Sequence, residues 1–243
     1  MFEQKVETFN NLDPKGRKVI LDLETTGLDY QFNKIVEVGM LEMIDDVPTG
    51  STWFMKFNSE GVEFEKETEQ ILGYTHKDIE NEPYIRDQIH EIRDYIGDST
   101  VVIHNSSFDI QYINGALEEV GLQKLKNPLI DTIVLARGYL KPTKASLDFV
   151  AEHFMVQNNR GKYHNALEDC KLLASLYPFI VNTESARKME QPNLMDYMQM
   201  SDEEEVVVET KNYDSVFIEK TTKKEEKLFL EAWGETIEKQ KEL

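Results

Sequence analysis

The sequence predicts an α/β fold, a mixed sheet flanked by helices with a C-terminal tail beyond it, and three observations carry that expectation. Residues 18–24, 35–43 and 51–57 are strand-like runs, and the links between them are too short for a crossover, so they form an antiparallel meander. Apolar residues then recur at 85, 89, 92 and 96 and at 112, 113, 116, 117 and 120, the spacing of two amphipathic helices, with the short buried strand 101–104 between them. A chain of 243 residues with 40% hydrophobic side chains has enough apolar mass for one sizeable core and a smaller appendage.

Each element follows in order. Residues 1–17 read as a loose lead-in that ends in the turn Asp13-Pro14-Lys15-Gly16, and the first strand then carries V-I-L-D-L-E. Residues 65–72 form a short helix before the turn Gly73-Tyr74-Thr75, and Gly97-Asp98 precedes strand 101–104. Polar residues suited to capping, His104 to Ser107, lead into the next helix, with Asp109 in its first turn. Residues 129–132 are a strand end, and Asp131 caps the helix that carries Ile133, Val134 and Ala136; it is given no catalytic role. Pro142 breaks the chain, and Ser146 opens a helix with Leu147, Val150, Ala151 and Phe154 inward and His153 in a structural place beside them. Asn165 is an N-cap for a long amphipathic helix over 166–181, which completes a domain spanning 18–182. Residues 183–205 are polar and rich in Met and Glu, an acidic linker. Residues 206–243 form an interaction segment, with strand-like runs at 206–209 and 215–220 and a capping box, Thr222 and Glu225, before a helix striped by Phe229, Trp233 and Ile237.

Composition excludes several classes of function. No apolar run is long enough to cross a bilayer, and the first ten residues lack the apolar core of a signal peptide, so a cytoplasmic protein without membrane contact is expected. The single cysteine, Cys170, leaves no internal disulfide and no cysteine-rich zinc site. A formal charge of −19 argues against broad, nonspecific binding of nucleic acid, because an acidic field repels phosphate at long range. Residues 201–243 hold 13 of the 46 acids, so the acidity belongs to the body as well as the tail. Residues 137–163 reverse the sign locally, with Arg137, Lys141, Lys144, Arg160 and Lys162 against Asp148 and Glu152, an excess that could steer a phosphate backbone.

Three acidic signals stand out against that background. Asp22 and Glu24 are one residue apart in a strand, so they share a face and leave Leu21 and Leu23 on the other. Paired buried carboxylates cost several kcal/mol unless protons or cations neutralise them, and hard divalent cations are the usual partner; a strand whose polar face meets water is the plainer alternative. Asp109 lies in the first turn of a helix at the carboxyl end of a strand, where open α/β sheets place their sites, although an acid there also complements the helix dipole. His164 sits in the loop before the last long helix and Asp169 just inside it, a division between a mobile base and a rigid carboxylate that acid–base chemistry at a metal can use. Taken alone, His164 is also an ordinary surface histidine.

The ordered set Asp22-x-Glu24, Asp109 and His164-x-x-x-x-Asp169, with E-T-T-G, H-N-x-x-F-D and H-N-A-L-E-D around it, resembles the signature of the DEDDh 3′ to 5′ exonucleases, over about residues 18 to 181. Within that family the chain is most similar to the epsilon-type proofreading branch of bacterial replicative polymerases. The resemblance implies a ribonuclease H-like fold, two Mg²⁺ or Mn²⁺ ions on Asp22, Glu24, Asp109 and Asp169, and His164 as general base. It also implies that Thr25 and Thr26 line the 3′-terminal nucleotide, that Phe108 lies beside the substrate and that Glu67 contacts the terminal sugar. Where many such chains have His-Gly-Ile-Thr this one has Leu72-Gly73-Tyr74-Thr75, so a histidine contact is missing unless His76 replaces it.

The resemblance extends more weakly to the tail. Residues 206–243 are similar to a segment that binds a polymerase alpha subunit, with folding back onto the domain as the alternative, and Gln191, Leu194 and Tyr197 have the spacing of a sliding-clamp peptide. The expected reaction is release of nucleoside 5′-monophosphates from DNA 3′ ends by a proofreading subunit. The rivals are an RNA 3′-exonuclease of the ribonuclease T or oligoribonuclease type and a noncatalytic polymerase-binding subunit.

Overall fold

The computed structural model describes residues 16–138, 140 and 145–182. Five strands form one mixed sheet: β1 (Arg17–Thr25), β2 (Ile35–Ile44), β3 (Val47–Lys56), β4 (Thr100–Ile103) and β5 (Leu129–Asp131). Their spatial order is β3-β2-β1-β4-β5. β1, β2 and β3 are antiparallel, and β4 and β5 continue the sheet parallel to β1. The six helices of the described chain are α1 (Lys66–Leu72), α2 (Ile85–Ile96), α3 (Ser106–Glu119), α4 (Thr132–Arg137), α5 (Leu147–His153) and α6 (Ala166–Asn182).

The alternation along β1 divides the core. Val19, Leu21 and Leu23 pack with Ile85, Ile89, Ile92 and Ile96 of α2 and with Ile110, Ile113 and Leu117 of α3. Ile20 points the other way, into a second cluster with Ile133, Val150, Cys170, Leu173 and Tyr177 from α4, α5 and α6. Each fully buried Leu or Ile contributes about 1.5–3 kcal/mol, so helices on both faces of the sheet hold it in place. Asp22 and Glu24 continue the Ile20 side of the strand, which aims them toward α6 and away from α2 and α3. No helix among the described residues is long and apolar enough to cross a membrane.

The local reading needs three corrections. β1 begins at Arg17, inside the expected lead-in, because Arg17 bonds Glu42 across the ladder and the carbonyls of Tyr95 and Ile96. β3 begins at Val47 rather than 51. Asp45 and Asp46 both have positive φ (53° and 64°), which makes the two-residue hairpin turn that follows the twist of its strands. Pro48 is accommodated because β3 is an edge strand, and a register irregularity absorbs Gly50. Lastly, His76 opens a 3-10 turn, His76–Ile79, closed by reciprocal bonds between Thr75 and Asp78. The lead-in up to residue 15, Pro142, the linker 183–205, the clamp-like residues 191–197 and the segment 206–243 lie outside the described residues.

Candidate active site

The carboxyl ends of β1 and β4 meet where the chain order in the sheet changes direction, and every acid of the site is delivered there. Asp22 and Glu24 come from β1 itself. Their neighbour Leu23 donates its backbone N–H to Asp109 Oδ1 (3.1 Å), so the strand that carries two of the acids also orients the third.

Asp109 stands in the first turn of α3, and the cap of that helix is not the local one. Asn105 precedes it in a left-handed conformation (φ 79°) without a capping bond from its own side chain. The exposed N–H groups are instead satisfied by Asp131 at the end of β5, which accepts from Asn105 N (3.2 Å), Ser106 N (3.0 Å) and Ser106 Oγ (2.7 Å). Asp131 also accepts from Ile133 N and so caps α4, the role read from sequence. His104 closes the same corner, between Thr132 Oγ1 (2.9 Å) and the Ala145 carbonyl (2.7 Å); burial holds its pKa down, which keeps it neutral.

α6 delivers Asp169, and Gly39 lets it come close. A Cβ on Gly39 would lie 2.4 Å from the Ala166 carbonyl carbon and 2.5 Å from Leu167 N, backbone that cannot give way. Gly39 is the ladder partner of Asp22, so the first turn of α6 crosses the sheet beside that carboxylate. Asn165 Oδ1 accepts from Leu167 N and Glu168 N, the expected N-cap. Asp169 then faces His164, whose Nδ1 lies 3.2 Å from Asp169 Oδ2. Arg160 does not act as a free steering cation: its side chain is 8% exposed and bonded to both Asp169 and Asp148.

One ligand atom each from Glu24, His164 and Asp169 lies within 4.8 Å of the others. Asp22 and Asp109 share that field. Burial first, and then the charges of Asp169, Asp109 and Glu24, push the Asp22 pKa well above the usual carboxylate range, against the pull of Arg160. Glu24 is raised by burial and by Asp169, Glu37 and Asp109, while burial raises Asp109 against the opposing hydrogen bond from Leu23. Among the described residues none donates a hydrogen bond to the side chain of Asp22 or Glu24. Oxygen donors that repel one another and lack protein donors fit a divalent cation, and carboxylates without thiolate favour a hard one.

The residues expected on the substrate side are arranged around the turn that leaves β1. Thr25 Oγ1 donates to the Gly27 carbonyl (2.6 Å), and Thr26 Oγ1 bonds Asn33 Oδ1 (2.7 Å) and accepts from Lys34 N. Both hydroxyls are therefore committed to the turn, as are the Thr26 N–H, which donates to the Lys34 carbonyl, and the Thr26 carbonyl, which accepts from Glu65 N. Phe108 is half-buried at the start of α3, its ring 5.0 Å from Tyr112, whose hydroxyl donates to the Gly27 carbonyl. Tyr30 continues that row, 6.4 Å from Tyr112, an aromatic edge the sequence reading did not find. Glu67 is exposed on α1, whereas the carboxylate against Gly27 is that of Glu65: a Cβ there would lie 2.1 Å from Glu65 Oε1. His76 Nδ1 is buried without a hydrogen-bond partner.

Comparison with known proteins agrees with this geometry. The family model described as Exonuclease, of the ribonuclease T type, matches residues 19–177. DNA polymerase III subunit epsilon of Rickettsia prowazekii (strain Madrid E) is 36% identical over 167 residues, 66% of this chain and 72% of that protein. The subunit of the same name from Buchnera aphidicola subsp. Baizongia pistaciae is 33% identical over 175 residues, 68% and 71% of the two chains. Among solved structures, an E. coli exonuclease I complex with single-stranded DNA superposes with a TM-score of 0.60 at 11% identity, over 70% of this chain and 41% of that longer one. Exonuclease X in complex with 5′ overhanging duplex DNA gives a TM-score of 0.54 at 26% identity, over 71% of this chain and 97% of that one. The chain belongs to this exonuclease family and is a 3′ to 5′ exonuclease on a ribonuclease H-like fold, similar to the epsilon subunits of bacterial DNA polymerase III.

Proposed function

We propose that this exonuclease shortens DNA from the 3′ end with two divalent ions, Mg²⁺ or Mn²⁺, releases nucleoside 5′-monophosphates, and proofreads for a replicative DNA polymerase. The observation that carries the reading is the convergence of Asp22, Glu24, Asp109 and Asp169, from three separate elements, beside one imidazole. Similarity to epsilon subunits supports the polymerase partner, and the DNA complexes of exonuclease I and exonuclease X support the substrate. Residues 206–243 would carry the contact with the polymerase alpha subunit, and residues 191–197 a clamp contact.

In this mechanism Asp22, Glu24, Asp109 and Asp169 would hold the ions, which would lower the pKa of water toward neutrality and supply positive charge for the leaving oxygen. The protein's own part is positioning and proton transfer. β1 fixes the spacing of Asp22 and Glu24, and the Leu23 N–H fixes Asp109. His164 takes the proton of the attacking water; with Nδ1 engaged by Asp169, Nε2 is the nitrogen that receives it. Phe108 and Tyr30 offer ring faces beside the Thr25–Gly27 turn, on which a base of a frayed end can stack.

A 3′-labelled oligonucleotide tests the reading, run as DNA and as RNA with and without EDTA. Release of the labelled terminal nucleotide from DNA as a 5′-monophosphate, stopped by EDTA and by Asp22→Ala, is the expected result. Faster loss of RNA would make the chain an RNA 3′-exonuclease. Binding without degradation would make it a noncatalytic subunit.

A further inference from the structure

Four consecutive residues, 163 to 166, are each fastened from outside their own loop. The Tyr163 ring lies on Gly73, where a Cβ would be 2.5 Å from the ring, and Gly73 holds the left-handed conformation that ends α1 (φ 73°). The His164 N–H donates to the Ile71 carbonyl (2.9 Å). Asn165 Nδ2 (3.0 Å) and Ala166 N (3.1 Å) both donate to Glu37 Oε2. The other oxygen of Glu37 accepts from the Tyr74 hydroxyl (2.8 Å), and Lys56 Nζ, 3.2 Å away, balances the buried charge while lying 3.6 Å from the centre of the Tyr74 ring. The His164 side chain itself stays 42% exposed, with Asp169 as its partner.

The backbone of the histidine loop is thus clamped on both sides while its imidazole is left accessible. We infer that Glu37 and Tyr74 are positioning residues for His164: through Asn165 and Ala166 they set the backbone from which its ring reaches Asp169 and the acidic site. This rests on the reading of His164 as the general base. It also gives Tyr74, which stands where a more usual sequence has isoleucine, a task directed at the histidine loop rather than at the nucleotide. Loss of registration by about 1 Å at a reacting group costs up to about a hundredfold in rate, so one missing bond in the seat should be visible in turnover.

The full chain with Tyr74→Phe, which removes one hydroxyl and no packing, is measured on 3′-labelled DNA alone and in a His164→Ala background. The expected result is a loss of about tenfold in kcat with KM and calorimetric Mn²⁺ affinity unchanged, and no further loss when His164 is already absent. Glu37→Gln should show the same dependence on His164. An equal fold-loss in both backgrounds overturns the inference, because the hydroxyl would then act elsewhere. A second readout does not depend on nuclease activity: in protein with ¹³C-labelled histidine, Tyr74→Phe should shift and broaden the His164 ring signal. An unchanged signal overturns the seat even if the chain proves not to cut DNA, and a changed signal in an inactive protein would count against the nuclease mechanism alone.

Discussion

Glu24 and Glu37 face each other across the β1–β2 ladder, and the same residue type meets opposite fates there. Glu37, 1% exposed, receives bonds from Tyr74, Asn165 and Ala166 and a salt bridge from Lys56. Glu24 receives no donor among the described residues and shares its space with Asp169, Asp109 and the charge of Glu37 itself. Both carboxylates lose water, and they differ in what replaces it. A buried acid whose oxygens are filled by protein donors is a structural part, and one left among like charges fits the cation proposed for it.

Exchanging the two charges one at a time separates those roles. Glu24→Gln removes a proposed metal ligand and should lower the rate on DNA by about a thousandfold or more, whereas Glu37→Gln should lower it by about tenfold, both read as single-turnover rates. Similar losses from the two variants would erase the distinction. Gly39→Ala pushes the start of α6 off β2; it should lower unfolding free energy by about 1–3 kcal/mol in urea titrations and slow the reaction through displacement of Asp169.

A smaller effect appears in stability without metal. The folded pKa of Asp22 is raised, so the folded state holds its proton to higher pH than the unfolded chain does. Stability is therefore lost as pH rises from the unfolded value, about 4, through the raised folded value. At pH 8 in EDTA, Asp22→Asn should melt a few degrees above the parent, and the gap should close on acidification. Magnesium should reverse the order by stabilising only the parent. The smallest effect is in the pH profile. The hydrogen bond to Asp169 raises the pKa of His164, and a base must be neutral to act, so kcat/KM should reach half its plateau above about 6.5, the value of a free imidazole.

The places of Asp22, Glu24, Asp109 and Asp169 in the fold are legible because strand alternation and helix starts are local patterns. Asp22 and Glu24 share a face by period two, and Asp109 and Asp169 follow recognisable helix openings. The same locality explains what was missed. Glu37 reads as one polar position in I-V-E-V-G-M, because its partners Asn165 and Ala166 lie 128 and 129 residues away. Gly39 reads as a weak point in a strand until α6 is seen crossing it. Arg160 reads as one cation of a basic stretch, but composition does not show that Asp148 and Asp169 fold around it. β3 starts early because Pro48 and Gly50, loop signals in a chain, are tolerated on a sheet edge.

Diffraction from crystals soaked with Mn²⁺ and a nucleoside 5′-monophosphate, read by anomalous scattering at the manganese edge, measures the central point directly. Two peaks about 3.5–4 Å apart, bounded by Asp22, Glu24, Asp109 and Asp169, are the expected result. Manganese bound elsewhere, or these four carboxylates left without a peak while the nucleotide is in place, would contradict it.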